Sequence, residues 1–310
     1  MRLLSLLLNP GVIGVLALFL SVIWMLRDEK DKTRPLLVFA LILNLFFGFL
    51  LTVFMSREGG LLPWKYDHVL FALDRALGVT AAPIARSLQG VFRVPMIVIY
   101  QLMVPMMIVW FLVTEYSHVR GSVVLAYVGE LVVGPILYAV LPGCGPIYAF
   151  GAQWLNPPQV QADTIRLAAM PNAFPSLHLG TAFVFVFFAP GRFWRAVSLA
   201  FLCGTGLATL STGEHYVIDL VAGLAFGCFA ACVGYSRFRA ALLYLAVVVC
   251  WSLTVRFEYP FLVAHPGLLR LMAVLTVGMA AHAVFKQWRT PALCKTDQNE
   301  QENQAGAVAE

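Results

Sequence analysis

Of the 310 residues, 60% are hydrophobic and 12% are charged, against roughly 25% charged in a soluble domain, which excludes an ordinary soluble protein. A mean hydropathy of +0.82 points to a polytopic helical membrane protein instead. The net charge of +5 is no nucleic-acid signal, because Lys and Arg are scattered over short loops.

In chain order, nine spans are expected, at about 6–26, 36–55, 95–113, 122–142, 176–190, 194–211, 215–235, 240–256 and 267–286. The apolar N-terminus is too long for a signal peptide and ends at RDEKDKTR, so it reads as a retained span. The fold class expected is all-α, a transmembrane bundle. Its divisions are 1–63 with N-terminal spans, 64–235 with the catalytic core, 236–286 with C-terminal spans and 287–310 as a polar, disordered tail. The six cysteines show no zinc spacing and read as small buried hydrophobes. Neither a metal nor a cofactor is expected.

The 56–94 segment places Val69, Leu70, Leu73, Ala76 and Leu77 at helical spacing, with Lys65, Asp67, Asp74 and Arg75 mostly elsewhere. That pattern predicts an interfacial helix anchored by Trp64 and Tyr66. A lid over a lipid access route is the alternative. Glu130 lies mid-span in YVGELVVG, where an acid is either functional or hydrogen-bonded to a neighbouring helix.

The chain is organised around 171–223. MPNAFPSLHLG carries Pro175, Ser176 and His178, and STGEHYVIDLVAG carries His215 and Asp219. The histidines are 37 positions apart, with the Pro190-Gly191-Arg192 break between them. A crossing takes about 20 residues, so one out-and-back pair fits and both histidines return to the same face. With the N-terminus outside, cytoplasmic segments hold twelve Lys and Arg, and outer segments nine, five of them in the long loop. This bias turns the histidines away from the cytoplasm.

His215 and Asp219, four apart, share a helix face. A carboxylate beside an imidazole sets its tautomer and leaves the other ring nitrogen to act as nucleophile or base. An Asp that merely caps or pairs a headgroup-level His is the alternative. Ser176 is placed to cap span five, whose N-terminus suits a phosphate. His178 in the first turn could protonate a leaving group. Arg166, the sole cation in the preceding loop, is a candidate phosphate contact. Glu214 reads as facing water, with an acceptor hydroxyl as the other reading.

AFPSLH followed by HYVIDLVAG resembles the type 2 phosphatidic acid phosphatase superfamily over roughly 64–235. More narrowly, YDHVLFALDRALG and LPGCGPIYAF are similar to the branch of inositolphosphotransferases and inositol phosphorylceramide synthases. The resemblance implies a six-helix core and metal-independent transfer through a phosphohistidine. His215 would be the nucleophile, Asp219 its orienting partner, His178 the general acid and Ser176 a phosphate holder. The family's Lys and Arg-Pro motif is missing from 141–150, and Ala208 and Thr209 stand where it carries Ser-Arg. A monoester dianion needs more positive charge than a diester, so transfer of a phosphoalcohol or phosphoryl group between membrane lipids is the expected activity. Hydrolysis of a phospholipid or polyprenyl phosphate is the alternative, and a non-enzymatic lipid-binding or translocating protein a further one.

Overall fold

The computed structural model describes residues 33–57, 61–159 and 163–289. The expected first span, 6–26, and most of the polar tail lie outside the described residues. The architecture is an all-α helical membrane bundle. Among the described residues, five helices are long and apolar enough to cross a membrane, or up to seven if each of two bent pairs counts as one span.

The helices are α1 (Thr33–Arg57), α2 (Asp67–Leu77), α3 (Ala81–Ser87), α4 (Arg93–Gln101), α5 (Met103–Tyr116) and α6 (Val123–Val140). They continue with α7 (Pro146–Phe150), α8 (Leu177–Phe188), α9 (Gly191–Thr212), α10 (Val217–Gly234), α11 (Phe238–Ala264) and α12 (Pro266–Arg289). A short antiparallel ribbon pairs β1 (Trp64–Lys65) with β2 (Ile165–Arg166), Trp64 opposite Arg166.

One expected span is broken, and another runs on past its expected end. The stretch 95–113 is α4 and α5, bent by 54° at Leu102. Pro105 has no N–H to give the Gln101 carbonyl, which removes a helix bond at that point. The expected 240–256 span runs on as α11 through a kink at Glu258 (φ −120°), two residues before Pro260. The Arg256 guanidinium there donates to the Val140 carbonyl at the end of α6.

At the centre, α8 is short because protein rather than lipid surrounds it, with ten of its twelve residues buried. It meets α10 through glycines. A Cβ on Gly223 would lie 2.7 Å from the Ser176 carbonyl oxygen, and one on Gly227 2.7 Å from that of Gly180. Small residues let the backbones approach and pack without a hydrophobic driving force. Around this pair, Trp110, Tyr127, Phe185, Phe188 and Phe226 form the main apolar core. The outer surface leaves Phe49, Val274 and Leu242 about two-thirds exposed, as a lipid-facing wall allows.

The structure corrects the reading of α2. Val69, Leu70 and Leu73 are buried as their spacing requires, but so are Lys65, Asp67 and Asp74. The helix is neither surface-lying nor a detached lid. Its residues share one apolar cluster with Phe174, Tyr216, Ile218, Trp251 and Leu269, at the end of the bundle where the histidine loops meet. Trp64 remains exposed.

Candidate active site

Ser176 stands in extended backbone before α8, and its Oγ accepts from the Leu179 N–H at 3.3 Å. The Ser176 N–H donates to the Asp219 carbonyl at 3.0 Å, so the two histidine segments are joined backbone to backbone. One turn on, the His178 ring stacks on Tyr100 of α4, centroids 4.5 Å apart.

His215 arrives from the other side. Gly213 ends α9 in the left-handed region (φ +76°), and the Glu214 N–H closes on the Thr209 carbonyl at 3.1 Å. This turn drops His215 beside His178, with ring centroids 5.9 Å apart at 66°. His215 Nδ1 lies 3.4 Å from Asp219 Oδ2. That oxygen also accepts the Tyr216 N–H at 2.7 Å, while Asp219 Oδ1 and His215 Nδ1 have no hydrogen-bond partner among the described residues. Four of the five expected site residues, Ser176, His178, His215 and Asp219, therefore converge.

The His215 loop lies between the spans, and burial holds its imidazole at about 4, against opposing pulls from Glu214 and the Ala173 backbone. The ring is thus a neutral base at ordinary pH. An unfolded imidazole protonates first, so stability contributed by this group is full above about 6.5 and is lost as pH falls from there towards about 4. For activity, kcat/KM measured against pH should show its basic group titrating near pH 4 rather than between 6 and 7. An acid limb centred above 6 would contradict this burial.

Behind the histidines, the LPGCG segment ties the site together. The Asn172 and Ala173 N–H groups both donate to the Gly143 carbonyl at 2.9 Å, and the Ile147 N–H donates to that of Gly213 at 2.9 Å. Asp67 receives the Gly145 N–H at 2.8 Å, the Cys144 N–H at 3.1 Å and the Tyr216 hydroxyl at 3.0 Å. Asp74 receives the Val217 and Ile218 N–H groups at 2.8 and 2.9 Å, capping α10 from a remote helix. Burial and the neighbouring Asp67 charge push the Cys144 thiol up, so it stays protonated.

The sequence reading missed Asp67 and Asp74 as parts of this site. Their separation of seven, two helical turns, was the usable signal, since it lines both up with buried Leu70 on one face. Arg166 does not join the cluster. It is exposed on β2, and its guanidinium has no partner among the described residues.

Glu214 is half-buried rather than simply facing water, and it accepts from the Tyr148 hydroxyl at 3.1 Å. Burial raises its carboxyl above the usual range, opposed by that bond and by His215. Beside it opens a cleft of about 390 Å³, lined among others by Arg93, Ile97, Ile147, Trp154 and Thr212. Glu130 takes the neighbouring-helix alternative: Oε2 accepts from Thr181 Oγ1 of α8 at 2.7 Å. Among the described residues, no group of three His, Cys, Asp or Glu side chains is placed to hold a metal ion.

The site is thus a membrane-spanning helical bundle that backs one of two facing imidazoles with a buried carboxylate. A family model described as the PAP2 superfamily matches residues 68–233, just over half of the chain. The chain belongs to the PAP2 superfamily, whose members are generally phosphatases or phosphotransferases. No curated protein and no solved structure matches it.

Proposed function

We propose that this protein is a lipid phosphotransferase, moving a phosphoryl or phosphoalcohol group between membrane lipids through a phosphohistidine on His215, without a metal. One observation carries the reading: His215, its Nδ1 side held against Asp219, faces His178 across 5.9 Å. Asp219 at Nδ1 keeps the proton there and leaves Nε2 to attack.

In the first step Nε2 attacks phosphorus, a P–N bond forms, and the bond to the leaving oxygen breaks. His178 gives that oxygen its proton. In the second step the acceptor hydroxyl passes its proton to His178 and attacks phosphorus, and the P–N electron pair returns to His215. In-line displacement places the two groups on opposite sides of phosphorus. The bound phosphate's charge raises the proton affinity of nearby imidazoles, which suits His178 to the acid role. Ser176 and the start of α8 hold phosphate oxygens. Arg166 meets an anionic headgroup further out.

The inositolphosphotransferase-like branch and a lipid acceptor are supported by the missing phosphatase cations and by the mainly apolar cleft beside Glu214. The distribution of Lys and Arg over the loops supports a site facing the non-cytoplasmic side.

Purified protein is incubated with phospholipids labelled at phosphorus, one headgroup class at a time, beside His215→Ala. The expected result is an acid-labile adduct that vanishes in the variant, together with loss of turnover at unchanged expression. With long-chain alcohol or ceramide present, label should move to the lipid hydroxyl rather than to water. Release to water alone would favour hydrolysis. Unchanged turnover in His215→Ala would end the enzyme reading at this site.

A further inference from the structure

The segment between His215 and Asp219 is held from outside itself. Its three intervening residues, Tyr216, Val217 and Ile218, are all gripped by α2. Asp67 Oδ1 takes the Tyr216 hydroxyl at 3.0 Å, and Asp74 takes the Val217 N–H at 2.8 Å and the Ile218 N–H at 2.9 Å. Both carboxylates are fully buried, and so is Tyr216. Burying two acids is costly unless donors meet them, and here the donors come from the LPGCG segment and from the start of α10 beside His215.

We infer that Asp67 and Asp74 are positioning residues for the transfer reaction: together they set the register of His215 against Asp219 and of both against His178. This rests on the phosphohistidine reading above. Neither carboxylate contacts substrate.

Three geometric facts carry the inference. First, α10 begins with no side-chain cap of its own from Tyr216. The Asp74 carboxylate, from 143 and 144 positions earlier in the chain, replaces that cap and satisfies two of the first N–H groups. Second, Asp67 divides its bonds between Tyr216 and the Cys144 and Gly145 N–H groups. Gly145 in turn packs against the Glu214 backbone, immediately before His215. One carboxylate therefore fixes the His215 turn from both flanks. Third, the apolar residues of α2 lock it in place: Val69, Leu70 and Leu73 are fully buried. A rigid outer support of this kind keeps catalytic groups within the fraction of an ångström that transfer tolerates.

The test separates positioning from mere stability. Asp74→Asn keeps the shape but leaves one N–H of α10 facing an amide donor instead of an acceptor. Tyr216→Phe removes the Asp67 bond and keeps the ring. Each is purified in detergent beside wild type, with kcat and KM expressed per folded, monodisperse molecule. The phospholipid used is the one that labels His215 in wild type. Expected are a fall of about 100-fold in kcat for Asp74→Asn and about 5-fold for Tyr216→Phe, with KM unchanged. Asp74→Ala should fall below Asp74→Asn, which retains one acceptor. A purely structural role predicts lower thermal stability and yield with wild-type kcat per folded molecule, and that result overturns the proposal. If Asp74→Asn does not fold, Tyr216→Phe decides alone. The His215→Ala control distinguishes the two levels. Turnover surviving there defeats the phosphohistidine reading, whereas its loss with wild-type kcat in the Asp74 and Tyr216 variants defeats only the positioning role.

Discussion

Asp219→Asn is expected to lower kcat by about 10³-fold while leaving the protein folded, the effect of losing a charge that stabilises the reacting histidine. The fold survives because the asparagine carbonyl still accepts the Tyr216 N–H, the 2.7 Å bond that Asp219 makes at the start of α10. The chemistry does not survive. The carbonyl that keeps this bond stands at the Oδ2 position, 3.4 Å from His215 Nδ1, and carries no negative charge. The positive charge that develops on the ring during phosphoryl transfer then has no counter-charge beside it. Steady-state kinetics with phosphoenzyme trapping checks this: adduct and turnover should fall together, with thermal unfolding near wild type. A variant within 10-fold of wild-type kcat would show that Asp219 is a cap and not a partner in catalysis.

Gly145→Ala is expected to cost about 3 kcal/mol or more of stability and to remove activity with it. Gly145 has φ +92° and ψ 156°, a region essentially closed to residues with a Cβ. Space is lacking as well: a Cβ there would lie 2.3 Å from the Glu214 carbonyl oxygen and 2.7 Å from its carbon. Both atoms are backbone and cannot rotate away. The turn ahead of His215 must shift, or the LPGCG segment must leave Asp67. Thermal unfolding of the detergent-solubilised variant measures the loss, and wild-type stability would contradict this account of the segment.

Much of this protein is written in local patterns. Apolar runs of crossing length mark α6, α9, α10, α11 and α12, because a bilayer demands about 20 apolar residues wherever the chain passes through it. The histidine pair was legible for a related reason. An out-and-back excursion of two helices has to return the chain to its starting face, and α8 and α9 occupy that interval. Ser176 as a cap follows from its place just before an apolar helix. The four-residue spacing of His215 and Asp219 puts them on one face before any fold is known.

Other features were out of reach of such patterns. In α2, carboxylates at 67 and 74 look like the polar side of a surface helix, since an acid is normally paid for by water. The donors that replace water there sit 77 to 149 positions further along the chain. No window of sequence contains both partners. Nothing near Arg166 in sequence shows that β-pairing with Trp64 sets it on an exposed ribbon. Glu214 meets Tyr148 only because Gly145 and Gly213 let two turns touch.

By itself, then, the sequence determined the bundle, its apolar spans, and which imidazoles and carboxylate are brought to one end, all of which depend on hydrophobic length and helical period. Only the tertiary structure decided what holds those groups in register. Backbone N–H groups carry no residue-specific mark, and the carboxylates that bind them are chosen by three-dimensional proximity alone.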